Sequence, residues 1–128
     1  MYLLFIVTSC LDLREEGKKQ SGIYEIQFGQ EKRKVFCDMN SLGGGWTVIQ
    51  RRGDFGNPSD FFLRNWTEYR NGFGQPDKEL WLGLEYMFML TNVETVQVLL
   101  ISISYKLGSC IFLHGPAMSK SVLHVLAW

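Results

Sequence analysis

Gly43, Gly44 and Gly45 stand in a row directly ahead of Trp46, and few features of the chain restrict its fold as much. Glycine enters positive φ without the Cβ penalty that other residues suffer. A triple glycine against a large aromatic therefore marks a turn where the backbone passes close to something bulky. Short strand patterns flank it, residues 35–39 (VFCDM) and residues 46–50 (WTVIQ).

Upstream, residues 11–17 (LDLREEG) carry a short amphipathic pattern closed by Gly17, which predicts a helix of one or two turns. Residues 22–28 (GIYEIQF) alternate apolar and polar side chains and predict a half-buried strand. A turn at 29–32 returns the chain into a strand at 34–39, and residues 46–51 form the third. A meander of antiparallel strands is the economical arrangement. Residues 53–58 form a loop. Asp60 or Ser59 then caps a helix beginning at Phe61, with Phe62, Trp66 and Tyr69 at helical spacing and Gly72 and Gly74 ending it. Asp77 caps a second short helical or turn segment. Residues 80–84 (LWLGL) suit a buried strand, and 85–90 a helix with Met87 and Leu90 on one face. Residues 101–105 (ISISY) alternate like a strand, whereas 108–128 show no periodicity.

A chain of 128 residues is one domain or a large piece of one. Thirteen basic and thirteen acidic residues cancel, so no global field draws nucleic acid or an anionic membrane. The run Lys32-Arg33-Lys34 follows Glu31 and reads as a solvated turn. No apolar run reaches the roughly 18 residues of a membrane span. The apolar N-terminus lacks a basic start, so residues 1–8 read as a remnant of a signal segment. Cysteines number three, Cys10, Cys37 and Cys110. In an oxidising compartment one pair closes and one thiol is left over. Spacing favours Cys10 with Cys37, and closing a loop of about 28 residues contributes on the order of 3.6 kcal/mol in the chain-entropy view. Three reduced, buried thiols are the alternative.

A longer series of blocks identifies a family. It comprises Ser21-Gly22-Ile23-Tyr24, then Phe36-Cys37-Asp38-Met39, then Gly43 to Arg52 (GGGWTVIQRR). Asp60-Phe61-Phe62, Arg64-Asn65-Trp66, Tyr69, Gly72-Phe73-Gly74 and Leu80-Trp81-Leu82-Gly83-Leu84 follow in order. Over about residues 9–92 this series resembles the fibrinogen C-terminal (fibrinogen-like) domain, and residues 53–58 (GDFGNP) are most similar to ficolin- and tachylectin-type lectins of invertebrates. The resemblance implies a secreted α+β domain of short antiparallel strands with two or three short helices, and a disulfide between Cys10 and Cys37. It implies a non-enzymatic lectin of innate immunity that binds acetylated glycans, usually as an oligomer, with glycans or cell-surface receptors as partners. It divides the chain into residues 1–8, the N-terminal part of the domain at 9–98, and a divergent tail at 99–128.

The family's calcium loop, second disulfide and ligand pocket lie in its C-terminal half. Here the last acidic residue is Glu94, and Cys110 has no second late cysteine. Hard cations need several oxygen ligands, carboxylates among them. The expectation for this chain is therefore a truncated module that lacks the family's calcium and ligand pocket and has no metal and no cofactor, calcium belonging to full-length relatives; the alternatives are an adhesion module working through an RGD loop and a fragment with no function.

Four groups of residues invite a functional reading. Arg52-Gly53-Asp54 is an RGD tripeptide, able to serve adhesion if held at a loop tip. Asn65-Trp66-Thr67 fits the N-glycosylation sequon, whereas Asn57-Pro58-Ser59 is blocked by proline. The place of Trp66 among core-like aromatics restricts access to Asn65. Trp46, Trp66 and Trp81 could stack on sugars, but their spacing favours core packing. Cys110, His114 and His124 supply three donors where zinc takes four, so loosely ordered tail residues are the favoured reading. No Ser-His-Asp, Cys-His or carboxylate pair stands out.

Overall fold

In a computed structural model of the protein, residues 8–93, 96–104, 108–114 and 124–126 are described. In chain order the elements are α1 (Cys10–Glu15), β1 (Gly22–Phe28), β2 (Glu31–Asp38), a 3-10 turn (Ser41–Gly43), β3 (Trp46–Arg52), α2 (Trp66–Asn71), β4 (Phe73–Gly74), β5 (Leu80–Trp81), α3 (Leu84–Val93), β6 (Gln97–Ser104), β7 (Gly108–His114) and β8 (His124–Leu126). The sheet runs β1-β2-β3-β7-β6-β8, with β5 also on β3 and β4 on β5.

Local chemistry accounts for the first elements. The Ser9 hydroxyl accepts from the Asp12 N–H at 3.3 Å, and the Asp12 carboxylate accepts from the Ser9 N–H at 2.9 Å, a reciprocal cap that starts α1. The alternation in residues 22–28 becomes β1, antiparallel to β2 from Gly22↔Cys37 to Phe28↔Glu31. Strand β3 joins through Cys37↔Thr47 and Asp38↔Trp46, completing a three-strand meander. Beyond it the order departs from a meander, because β7 pairs with β3 from Thr47↔Leu113 to Arg52↔Ser109. Strand β6 lies antiparallel to β7, and β8 parallel to β6. The division placed at 98/99 falls inside β6, while residues 105–107 and 115–123 lie outside the described residues.

Two expectations are corrected. The helix expected from Phe61 starts five residues later, at Trp66. Asn65 and Glu68 form its reciprocal cap, the Asn65 side chain accepting from the Glu68 N–H at 2.9 Å and the Glu68 carboxylate from the Asn65 N–H at 3.1 Å. Ser59 and Asp60 occupy turns instead. In the run 80–84 only Leu80 and Trp81 are strand, since Gly83 takes φ 117° and α3 begins at Leu84.

Strand β3 is buried on both faces, as a central strand must be. Toward one face lie Thr47 and Ile49. There Ile49 joins Cys10, Ile26, Phe28, Val35, Cys37, Met39, Leu82 and Leu90 in the larger core cluster. Toward the other lie Trp46 and Val48, packed with Leu80, Leu99 and Phe36. The glycine turn delivers Trp46 to this position, 5% exposed. Its indole N–H donates to the Ser41 carbonyl at 2.7 Å, bonding the ring back across the turn. All three glycines have positive φ, 91°, 76° and 82°. At Gly44 a Cβ would run into the Met39 carbonyl and the Arg14 guanidinium, so glycine is needed there for space as well as for φ.

Asp38 fastens the entry to this turn. Burial alone would raise its pKa, but the Ser41 side chain and the N–H groups of Ser41 and Asn40, both at 2.9 Å, hold the carboxyl below its usual 3.8.

Substituting Gly44→Ala is expected to destabilise the fold by about 2 kcal/mol or more, from the left-handed φ and the overlap together, read as a lower urea midpoint with an unchanged slope. The depressed carboxyl pKa of Asp38 sets the sign of a pH effect. Its contribution is present above the unfolded-state value and is lost as pH falls through the lower folded value. Asp38→Asn is therefore expected to lower the urea midpoint at pH 7 and to lose less stability than the parent between pH 5 and 3, while parallel acid profiles would remove this role.

Candidate functional site

The segment leaving β3 folds back over that strand's far end through a cluster of aromatic rings. Phe61, Phe62 and Phe73 meet pairwise edge-to-face, with centroids 5.3 to 5.7 Å apart. Tyr69 bridges Phe73 at 5.1 Å and Trp81 at 5.3 Å. Such edge contacts set the positive rim of one ring against the negative face of the next. The polar handles are also used. The Tyr69 hydroxyl donates to the Phe62 carbonyl at 2.6 Å, and the Trp81 indole N–H donates to the Tyr69 carbonyl at 2.8 Å.

Two arginines close this cluster from outside. The Arg64 guanidinium lies 4.7 Å from the centroids of both Phe61 and Phe73, donates to the Phe61 carbonyl at 2.7 Å and pairs with Glu68 at 3.1 Å. The Glu68 carboxyl is held below its usual range, first by the Asn65 N–H and then by Arg64. Arg52 stacks over Phe62 at 3.9 Å. A guanidinium over an aromatic face is attracted by the ring quadrupole.

Beside the cluster opens a groove of about 230 Å³ lined by Phe55, Asn57, Phe61, Gly74, Gln75, Lys78 and Glu79. One wall is the loop after β3 and the other is the β4–β5 hairpin. Glu79 joins them, its carboxylate accepting from the Gly53 N–H at 3.3 Å and from the Asn57 amide at 3.1 Å. The hairpin is closed by the Gln75 N–H on the Glu79 carbonyl and the Lys78 N–H on the Gln75 carbonyl, both 3.0 Å. The groove thus presents two aromatic rings, two side-chain amides, an ammonium and a carboxylate. Sequence alone points to none of its polar residues as ligand-binding, because the two walls lie some twenty residues apart. The turn chemistry of Pro76 and Asp77 between Phe73 and Leu80 was the one local sign of the hairpin.

The sequence-derived candidates fall in different places. Cys10 and Cys37 are bonded, S–S 2.05 Å with Cα atoms 5.4 Å apart, joining α1 to β2. Arg52 belongs to β3, where it pairs with Ser109, and its side chain is committed to Phe62. Gly53 is tied to Glu79, so Arg52-Gly53-Asp54 runs from the end of β3 into the following loop, with Arg52 and Asp54 exposed. Trp46 is core, and Trp81 is half-buried in the aromatic cluster. Trp66 departs from the core expectation: it is 72% exposed because α2 turns its first residue outward. The three tryptophans therefore form no common platform. Cys110 and His114 stand on β7 and His124 on β8, their side chains lying outside what is described. Among the described residues no three His, Cys, Asp or Glu side chains gather as a metal site would require.

The family model for the C-terminal globular domain of fibrinogen beta and gamma chains matches residues 6–112. The chain belongs to this family. It is 47% identical over 89 residues to Techylectin-5A of Tachypleus tridentatus, covering 66% of this chain and 30% of that protein. Against human angiopoietin-related protein 6 it is 47% identical over 83 residues, 65% of this chain and 17% of that one. The fibrinogen-like globe domain of human ANGPTL6 superimposes with a TM-score of 0.71 at 36% identity, covering 87% of this chain and 50% of that domain. That of human ANGPTL2 gives 0.70 at 37%, covering 80% and 47%. The chain is thus a partial fibrinogen-like globe fold of the α+β class, spanning about half of the solved domains and less of the full relatives.

Proposed function

We propose that this chain works outside the cell as a non-catalytic recognition module, and that, in place of the C-terminal ligand pocket expected to be missing here, it binds N-acetylated sugars through a different site, the groove between the loop after β3 and the β4–β5 hairpin. The observation that carries this reading is the make-up of the groove. Phe55, 40% exposed, and Phe61 offer apolar faces of the kind a sugar ring packs against. Gln75 and Lys78 bring donors suited to an acetyl carbonyl and ring hydroxyls. Glu79 holds the two walls in register, so the site is preformed. The similarity to Techylectin-5A supports a lectin. Similarity to angiopoietin-type proteins supports a second reading, in which the same module contacts a cell-surface receptor. Disulfide closure at Cys10 and Cys37 supports an oxidising, extracellular setting for both.

A glycan array run beside receptor-ectodomain binding decides between them. N-acetylated sugars are expected to bind, and Lys78→Ala and Phe55→Ala each to weaken binding about tenfold, which is ~1.4 kcal/mol. Asp54→Glu is expected to change neither binding nor cell adhesion, because Arg52 is held against Phe62. Receptor binding without sugar binding, or sugar binding indifferent to both groove substitutions, overturns the lectin reading. Adhesion lost in Asp54→Glu restores the RGD reading.

A further inference from the structure

Among the five asparagines, only Asn65 is followed by an unblocked Thr or Ser two residues on. The structure removes the objection raised by its neighbour, since Trp66 is exposed and so are Asn65 and Thr67. We propose that Asn65 carries an N-linked oligosaccharide. This rests on passage through the secretory lumen and not on what the groove binds.

The geometry makes the modification compatible with the fold in a particular way. Asn65 caps α2 with its side-chain carbonyl oxygen, which accepts from the Glu68 N–H at 2.9 Å. The sugar is attached to the other end of the same amide. Nδ2 attacks the anomeric carbon of a lipid-pyrophosphate-linked oligosaccharide, the N–C bond forms, the bond from that carbon to the pyrophosphate oxygen breaks, and Nδ2 gives one proton to the transferase. Nothing is oxidised or reduced. The product is still an amide with its oxygen free to accept, so the helix stays capped when glycosylated. In sequence the site is flanked by two of the most exposed apolar side chains, Leu63 at 82% and Trp66 at 72%. A glycan there screens apolar surface that the described residues leave open to water.

The cap also dictates the controls. Asn65→Gln removes acceptor and cap together, so a folding defect would be confused with loss of the sugar. Asn65→Asp keeps the cap and removes the acceptor, Thr67→Ala removes the sequon and leaves Asn65 in place, and Thr67→Ser keeps both. The full chain is expressed through the secretory pathway of insect cells, and non-reducing gels identify molecules whose Cys10–Cys37 bond has closed in the lumen. In that population, peptide-N-glycosidase is expected to lower the mass of the parent and of Thr67→Ser, and to leave Asn65→Asp and Thr67→Ala unchanged. Disulfide-closed parent protein with no enzyme-sensitive mass overturns the proposal. So does an enzyme-sensitive mass that persists in Thr67→Ala.

Discussion

The bond between Cys10 and Cys37 is the constraint from which the rest of the structure follows. Helix α1 has only six residues, far too few to persist alone in water. Its reciprocal cap adds only about 1 kcal/mol. The disulfide fixes it to β2, and the Cys10 N–H donates at 3.2 Å to the hydroxyl of Thr47, the one buried polar side chain among the described residues, which ties the same point to β3. One residue of α1 is thus joined to two adjacent strands. The helix then carries Arg14 up against Gly44, where any Cβ would displace it. Disulfide, helix and glycine turn are therefore one unit, and that unit places Trp46 on the second face of β3.

From the far end of β3 the chain builds its second centre by different means. The ring cluster around Phe73 makes little use of regular structure: β4 and β5 have two residues each and α2 has six. Edge-to-face packing, two stacked arginines and side-chain donors to backbone carbonyls hold it instead. Arg52 belongs to both centres, paired along β3 and stacked on Phe62. That double duty holds the RGD tripeptide at the end of the strand, beside the groove. A loop bonded through Glu79 to a tight hairpin cannot collapse onto the aromatic wall.

How much of this could be read beforehand varies with the range of the forces involved. Strand β1 matched its expected limits because alternation over residues 22–28 reports directly on one packed and one solvated face. The glycine turn was legible because only glycine tolerates its backbone. Helix α2 was misplaced because Ser59 and Asp60 are as good capping types as Asn65, and only the reciprocal bond with Glu68 separates them. The spacing of Trp66 among other aromatics favours the core, whereas its place at the first position of α2 turns it outward. Strand β7 gave no signal, as a strand paired on both sides need not alternate, and its partner β3 lies some sixty residues earlier. The groove was invisible for a similar reason, since hydrogen bonds from Glu79 to Gly53 and Asn57 leave no periodicity in either segment.

The central claim is that one disulfide, and that particular pairing, locks the N-terminal helix onto the sheet. Peptide mapping of the unreduced protein by mass spectrometry, with free thiols alkylated before digestion, tests it directly. The account predicts a single cross-linked peptide pair containing Cys10 and Cys37, lost on reduction, with no cross-link from Cys110 to either. A cross-link from Cys110 to Cys10 or Cys37, or alkylation of all three cysteines in the folded protein, would contradict it.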